Sequence, residues 1–150
     1  YVEASSRMIN LATRKSSPQW RDRVRFIHGT EKEIPEGIEF DAIITHFLLD
    51  VFPEEKGFCF CRKIYGRLKR GGLWLVSDFI DGGKWWHRVM LWIMYRFFSW
   101  TSSIEATSLP PWERQLREAG LRESACKLFF GGFIKSAVYC KEEEEQSASI

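Results

Sequence analysis

The run Cys61-Arg62-Lys63-Ile64-Tyr65-Gly66-Arg67-Leu68-Lys69-Arg70-Gly71-Gly72-Leu73-Trp74-Leu75-Val76-Ser77-Asp78 decides the fold class. Cys61, Ile64, Tyr65 and Leu68 recur at helical spacing, and Lys69 and Arg70 suit the negative end of a helix dipole. Gly71 and Gly72 offer the left-handed backbone that stops such a helix. Leu73 to Val76 then reads as a short, continuously apolar strand that ends in Ser77 and Asp78. A strand of that kind is buried on both faces, as in a parallel sheet.

Outward from this run the alternation continues. Toward the amino terminus, Pro53 opens the helix, Phe40 to Thr45 is a second apolar strand, and Val24 to His28 is a third, closed by Gly29. Tyr1 and Val2 run into Glu3 as the end of a further strand, and Ser5 or Ser6 caps a helix with Met8, Ile9 and Ala12 on one face. Toward the carboxyl terminus, Pro110 and Pro111 open a helix through Trp112, Leu116 and Ala119 that Gly120 closes. Glu123 to Phe130 and Phe133 to Cys140 flank Gly131-Gly132, which predicts a two-residue antiparallel hairpin. Strands alternating with crossover helices predict a doubly wound, mainly parallel, Rossmann-like sheet in three α/β/α layers, with that hairpin at the end. Residues 1–141 read as one domain and 142–150 as an acidic flexible tail.

Composition excludes several classes. Twenty-two basic against twenty acidic residues in 150 leave a formal charge of +2, too slight for a nucleic-acid footprint. The four cysteines lack paired CxxC spacing and a companion histidine cluster, so neither a metal site nor a disulfide framework is expected, and a reducing cytoplasm fits.

In open parallel sheets ligands bind beyond the carboxyl ends of the strands, which singles out Glu3, Thr30 with Glu31, Thr45 with His46 and Phe47, and Asp78. An acidic residue ending such a strand can accept from both hydroxyls of a ribose, the role Glu3 fits as well as that of an ordinary exposed carboxylate. His46 and Asp78 are the candidate general bases by position, with His87 more remote. Each has a structural alternative: His46 packing at a strand end, Asp78 holding a loop, Asp50 capping the helix after Pro53.

The succession Tyr1-Val2-Glu3-Ala4-Ser5, Val24-Arg25-Phe26-Ile27-His28-Gly29, Phe40-Asp41-Ala42-Ile43-Ile44 and Leu68-Lys69-Arg70-Gly71-Gly72, with the closing hairpin, resembles the class I S-adenosylmethionine-dependent methyltransferases. The resemblance implies a sheet whose last strand lies beside the fifth. It implies that Glu3 holds the ribose of S-adenosylmethionine, that Ser5 and Met8 flank it, and that Thr30 and Glu31 lie at the adenine. Thr45, His46 and Phe47 would line its methionine end. It further implies a first strand and glycine-rich turn upstream of Tyr1, central to the sheet, without which a stable active monomer is not expected unless another chain supplies the strand.

The segment from Lys84 to Trp100 carries Trp85, Trp86, Met90, Met94 and five further aromatics. It reads first as a lid inserted over about 82–109, holding a small apolar or aromatic methyl acceptor with Trp85, Trp86, Met90, Met94 and Asp78. Plain core, an oligomer interface and a helix on a membrane surface compete with it. The expected activity is methyl transfer to that acceptor. The rivals are a nicotinamide-dependent (NAD) oxidoreductase, against which the hairpin speaks, and a non-catalytic interaction domain of the same fold.

Overall fold

The computed structural model describes residues 1–101 and 109–142, so part of the expected lid (102–108) and nearly all of the acidic tail (143–150) lie outside the described residues. The chain divides into two compact units, Tyr1–Ile38 and Glu39–Ile150.

In the first unit, β1 (Val2–Glu3) pairs in parallel with β2 (Ile27–His28), and α1 (Ser6–Lys15) connects them. Ser5 caps α1, its hydroxyl accepting from the Met8 N–H. The expected strand from Val24 is shorter: a 3-10 turn, Pro18–Arg23, precedes it, and only Ile27 and His28 enter the ladder.

In the second unit four strands lie in the order β3-β4-β6-β5: β3 (Phe40–His46), β4 (Leu68–Phe79), β5 (Leu121–Phe129) and β6 (Ile134–Lys141). β3 and β4 are parallel, while β6 runs antiparallel to both β4 and β5. Around them come α2 (Glu54–Tyr65), α3 (Trp85–Thr101) and α4 (Trp112–Glu118).

Two boundaries differ from expectation. α2 stops at Tyr65, where Gly66 closes it with an N–H bond to the Arg62 carbonyl, and Leu68 already pairs with Phe40 in the sheet. Gly71-Gly72 therefore does not end the helix. It forms a bulge inside β4, where the ladder jumps from Phe40↔Leu68 to Ala42↔Leu73 and Gly71 takes φ 68°. Leu68 stands four residues after Ile64, so helical periodicity and strand pairing both claim it, and pairing to Phe40 wins. The hairpin link is likewise four residues, Phe130 to Phe133, closed by the Phe133 N–H on the Phe129 carbonyl, with Gly131 and Gly132 both at positive φ.

The core lies on one face of this sheet. Trp74 and Val76 on β4 stand opposite Tyr139 and Ala137 on β6, covered by Phe60, Ile64, Trp112 and Leu116 of α2 and α4. α4 comes close because Gly57 has no side chain: a Cβ there would stand 2.8 Å from Gln115 Oε1. Among the described residues no helix is long and apolar enough to cross a membrane.

Candidate functional site at the carboxyl ends of the strands

In the first unit, Glu3 ends β1 half-buried, with Oε1 accepting from the Ser5 N–H at 2.9 Å and Oε2 from the Tyr1 hydroxyl at 3.4 Å. The carboxylate is thus oriented by its own loop and keeps lone pairs for further donors. Ser5 is occupied as helix cap, and Met8 lies exposed one turn on. Thr30 belongs to a capping box: its N–H and hydroxyl both reach Glu33 Oε2, at 2.6 and 3.0 Å. Those bonds hold the Glu33 carboxyl below the usual range. Glu31 stands beside it, half-buried.

In the second unit, β3 delivers Thr45, His46 and Phe47 in alternation. Thr45 is buried and its hydroxyl accepts from the Trp74 indole N–H at 3.1 Å, which commits it to the core. His46 is exposed on the opposite side of the strand. Phe47 adopts φ 49°, a left-handed conformation costly for a bulky residue, held by its N–H on the Ser77 carbonyl.

Asp78, which ends β4, is fully buried. Its Oδ2 accepts from the N–H groups of Leu48 and Leu49 (3.2 and 2.8 Å), and its Oδ1 from the N–H of Phe79 at 2.8 Å. It therefore clamps the turn after β3 rather than the loop after β4. Asp50 does not cap α2, whose N-cap is Pro53; it sits 6% exposed in the 3-10 turn Leu49–Val51 and hydrogen-bonds Asp78 side chain to side chain. Burial, the charge of Asp78 and that hydrogen bond push the Asp50 carboxyl up to about 7. Burial raises the Asp78 carboxyl as well, against the backbone N–H donors that favour its ionised form, so the two acids titrate as a pair.

Beside this pair runs a chain of aromatic rings: Phe47 to Phe79 at 4.9 Å, Phe79 to Phe133 at 5.1 Å, and Phe133 to Trp86 at 5.9 Å. His87 is buried against Phe133, its Nδ1 accepting from the Gly82 N–H at 3.0 Å, so the ring proton lies on Nε2. Of the residues assigned to an acceptor, Trp86 joins this cluster and Met94 is half-buried, while Trp85 and Met90 are exposed. Sequence reasoning gave Asp50 only as a helix cap and assigned no site role to Phe79 or Phe133. Their signal was an acid inside the apolar run Leu48 to Phe52, and aromatics flanking Asp78 and Gly132. Among the described residues no cluster of histidine, cysteine or acidic side chains is arranged to hold a metal, and the four cysteines are free thiols.

The sequence matches no protein-family model and no curated protein. Solved structures do resemble it. The fold overlays a chain of the Haloferax volcanii complex containing the methyltransferase activator Trm112 (TM-score 0.70, 13% identity, 95% of this chain and 70% of that one). It overlays PigF with S-adenosylhomocysteine (0.63, 18%, 93% and 42%) and an O-methyltransferase family 2 protein from Planctomyces limnophilus with apigenin (0.61, 15%, 81% and 36%). The chain spans 52%, 37% and 35% of the length of three other matched structures. With β6 antiparallel between β4 and β5, the molecule has the Rossmann-like α/β fold of the class I methyltransferases.

Proposed function

We propose that the protein is an S-adenosylmethionine-dependent methyltransferase acting on a small apolar or aromatic acceptor in the cytoplasm. The observation that carries this reading is the strand order, in which the last strand enters antiparallel beside β4. A dehydrogenase of the doubly wound type would continue with parallel strands.

The residues of the first unit fit an adenosine. Glu3, already oriented by Ser5, accepts from the ribose hydroxyls. Ser5 and Met8 border it, and Glu31, rather than the committed Thr30, offers the polar contact to the base. In the second unit His46 and Phe47 serve the methionine end, while Thr45 contributes only through Trp74. Bound S-adenosylmethionine supplies an electrophilic methyl group. What remains for the protein is alignment, and the tilted rings of Phe47, Phe79, Phe133 and Trp86 provide apolar contact for an acceptor. His46, exposed at the strand end, takes a proton where the acceptor must lose one. Asp78 acts through the turn it clamps and is a positioning residue.

Calorimetric titration with S-adenosylmethionine, S-adenosylhomocysteine and NAD tests the reading. The first two should bind and NAD should not; binding of NAD alone overturns it, and binding of none favours an interaction domain. Glu3→Ala removes two charge-assisted hydrogen bonds and should weaken the cofactor by about tenfold or more. Unchanged affinity removes Glu3 from the site.

A further inference from the structure

In α3, His87 and Leu91 are buried and Met94 half-buried, one helical turn after another. On the opposite side Trp85 is 77% exposed and Trp92 67%, with Val89 and Ile93 beside them on the same stripe. Burial of large aromatics is the ordinary outcome of folding, so a helix that turns two tryptophans outward needs a partner for that face.

The hairpin tip, which meets the start of α3, is itself apolar and exposed. Phe130 is 75% exposed at φ 49°, and Leu128 and Phe129 are exposed behind it. The Lys84 ammonium, one residue before α3, donates to the Gly131 carbonyl at 2.7 Å and so ties the helix start to the tip. The Lys127 ammonium lies 5.2 Å from the Phe129 ring.

Charge identifies the occupant. From Gly82 to Ser103 the sequence holds Lys84, Arg88 and Arg96 and no acidic residue, and Lys127 stands beside Phe129 on the hairpin, whereas Lys135 and Lys141 are committed to Glu113 and Glu123 and to the Tyr65 and Leu68 carbonyls. Such a surface is unsuited to a second copy of the chain, because a two-fold interface would bring the same cations together without carboxylates to pair them. It matches a layer of anionic headgroups: tryptophans favour the boundary between headgroup and acyl chain, and lysines and arginines meet the phosphates.

We propose that the outward face of α3, with the Phe129–Phe130 tip, docks the protein flat on a membrane surface containing anionic phospholipid. The helix lies in the interface and does not cross it. Docking sets the aromatic acceptor wall, which begins at Trp86, next to a source of apolar molecules. The inference stands on exposure and charge, and does not depend on methyl transfer.

Co-sedimentation of the full chain with sucrose-loaded vesicles tests it without cofactor. Vesicles of phosphatidylcholine with phosphatidylserine should bind the protein, and phosphatidylcholine alone should bind it at least about tenfold less. High salt should release it. The double variant Trp85→Ala/Trp92→Ala and the single variant Arg88→Glu should each lose about tenfold in partitioning. Both alter exposed side chains, and circular dichroism verifies that they fold; Arg88→Glu decides if the tryptophan pair does not. Equal sedimentation with both vesicle types overturns the proposal. So does unaltered binding by the variants, or absence of vesicle binding together with a gel-filtration dimer that Trp85→Ala/Trp92→Ala dissociates.

Discussion

Asp50, in the turn after β3, and Asp78, at the end of β4, are buried carboxyls joined side chain to side chain, and burial raises the pKa of both. Two buried carboxylates so close cannot both ionise without strong repulsion. A carboxyl whose folded pKa lies above its unfolded one holds its proton more tightly when folded. Its contribution to stability is complete below about pH 4 and is lost as pH rises to the folded value of about 7. Asp41, Glu33 and Glu123, held low by Lys69, Thr30 and Lys135 respectively, act in the opposite sense, but equally in any Asp50 variant. On β6, Lys135 faces Asp78 in register but is committed to Glu113 and Glu123. Asp50→Asn, which keeps a donor to Asp78, should gain on the wild type by about 2–4 kcal/mol between pH 4 and pH 8 in urea unfolding. Parallel pH profiles would refute the coupled pair.

Thr45 and Trp74 make a buried hydroxyl–indole bond across the parallel pair β3–β4. Thr45→Val keeps the shape and strands the indole N–H, so it should cost about 1–3 kcal/mol in chemical denaturation, whereas Thr45→Ser should recover most of that. Equal losses in the two variants would place the cost in packing instead.

Lys135 is nearly buried between Glu113 and Glu123, at 2.5 and 2.8 Å, and the Tyr139 hydroxyl donates to Glu123. Burial works against its charge, but the two carboxylates outweigh it and raise its pKa. Lys135→Met leaves two acids facing each other and should destabilise the fold by about 3 kcal/mol near pH 7. The deficit should shrink as pH falls and the acids take up protons; a deficit constant with pH would argue against the ion pairs as its source.

Gly120 closes α4 at φ 101°, where a Cβ would stand 3.2 Å from the Tyr65 hydroxyl oxygen. Gly120→Ala should lower stability by about 1–2 kcal/mol and reduce the melting temperature accordingly, because the backbone is strained in any L-residue there. A gain would mean that the turn relaxes to negative φ.

What the sequence disclosed was local. Ser5 as a cap, Pro53 and Pro111 just ahead of helices and the hairpin around Gly131 all follow from rules that span a few residues. What it concealed was pairing at a distance. Asp50 meets Asp78 across 28 positions, so the local pattern offered only a helix cap. Gly71-Gly72 follows a helix-like repeat, and only the partnership of Leu68 with Phe40 shows that the strand has already begun. The candidate site was half legible: Glu3, His46 and Phe47 stand at strand ends as expected, but Thr30 and Thr45 spend their hydroxyls on Glu33 and Trp74, bonds that no spacing announces.

The place of β6 between β4 and β5 also bears on the order in which the molecule assembles. The latest strand among the described residues occupies an interior position, so as the chain leaves the ribosome β5 lacks its partner and β4 keeps an open edge until residues near Lys141 emerge. Closure of the sheet is therefore a late event with distant contacts, expected to be slow relative to formation of its helices. A premature stop before Ile134 would release a chain whose exposed β4 edge invites aggregation rather than a smaller version of the same domain.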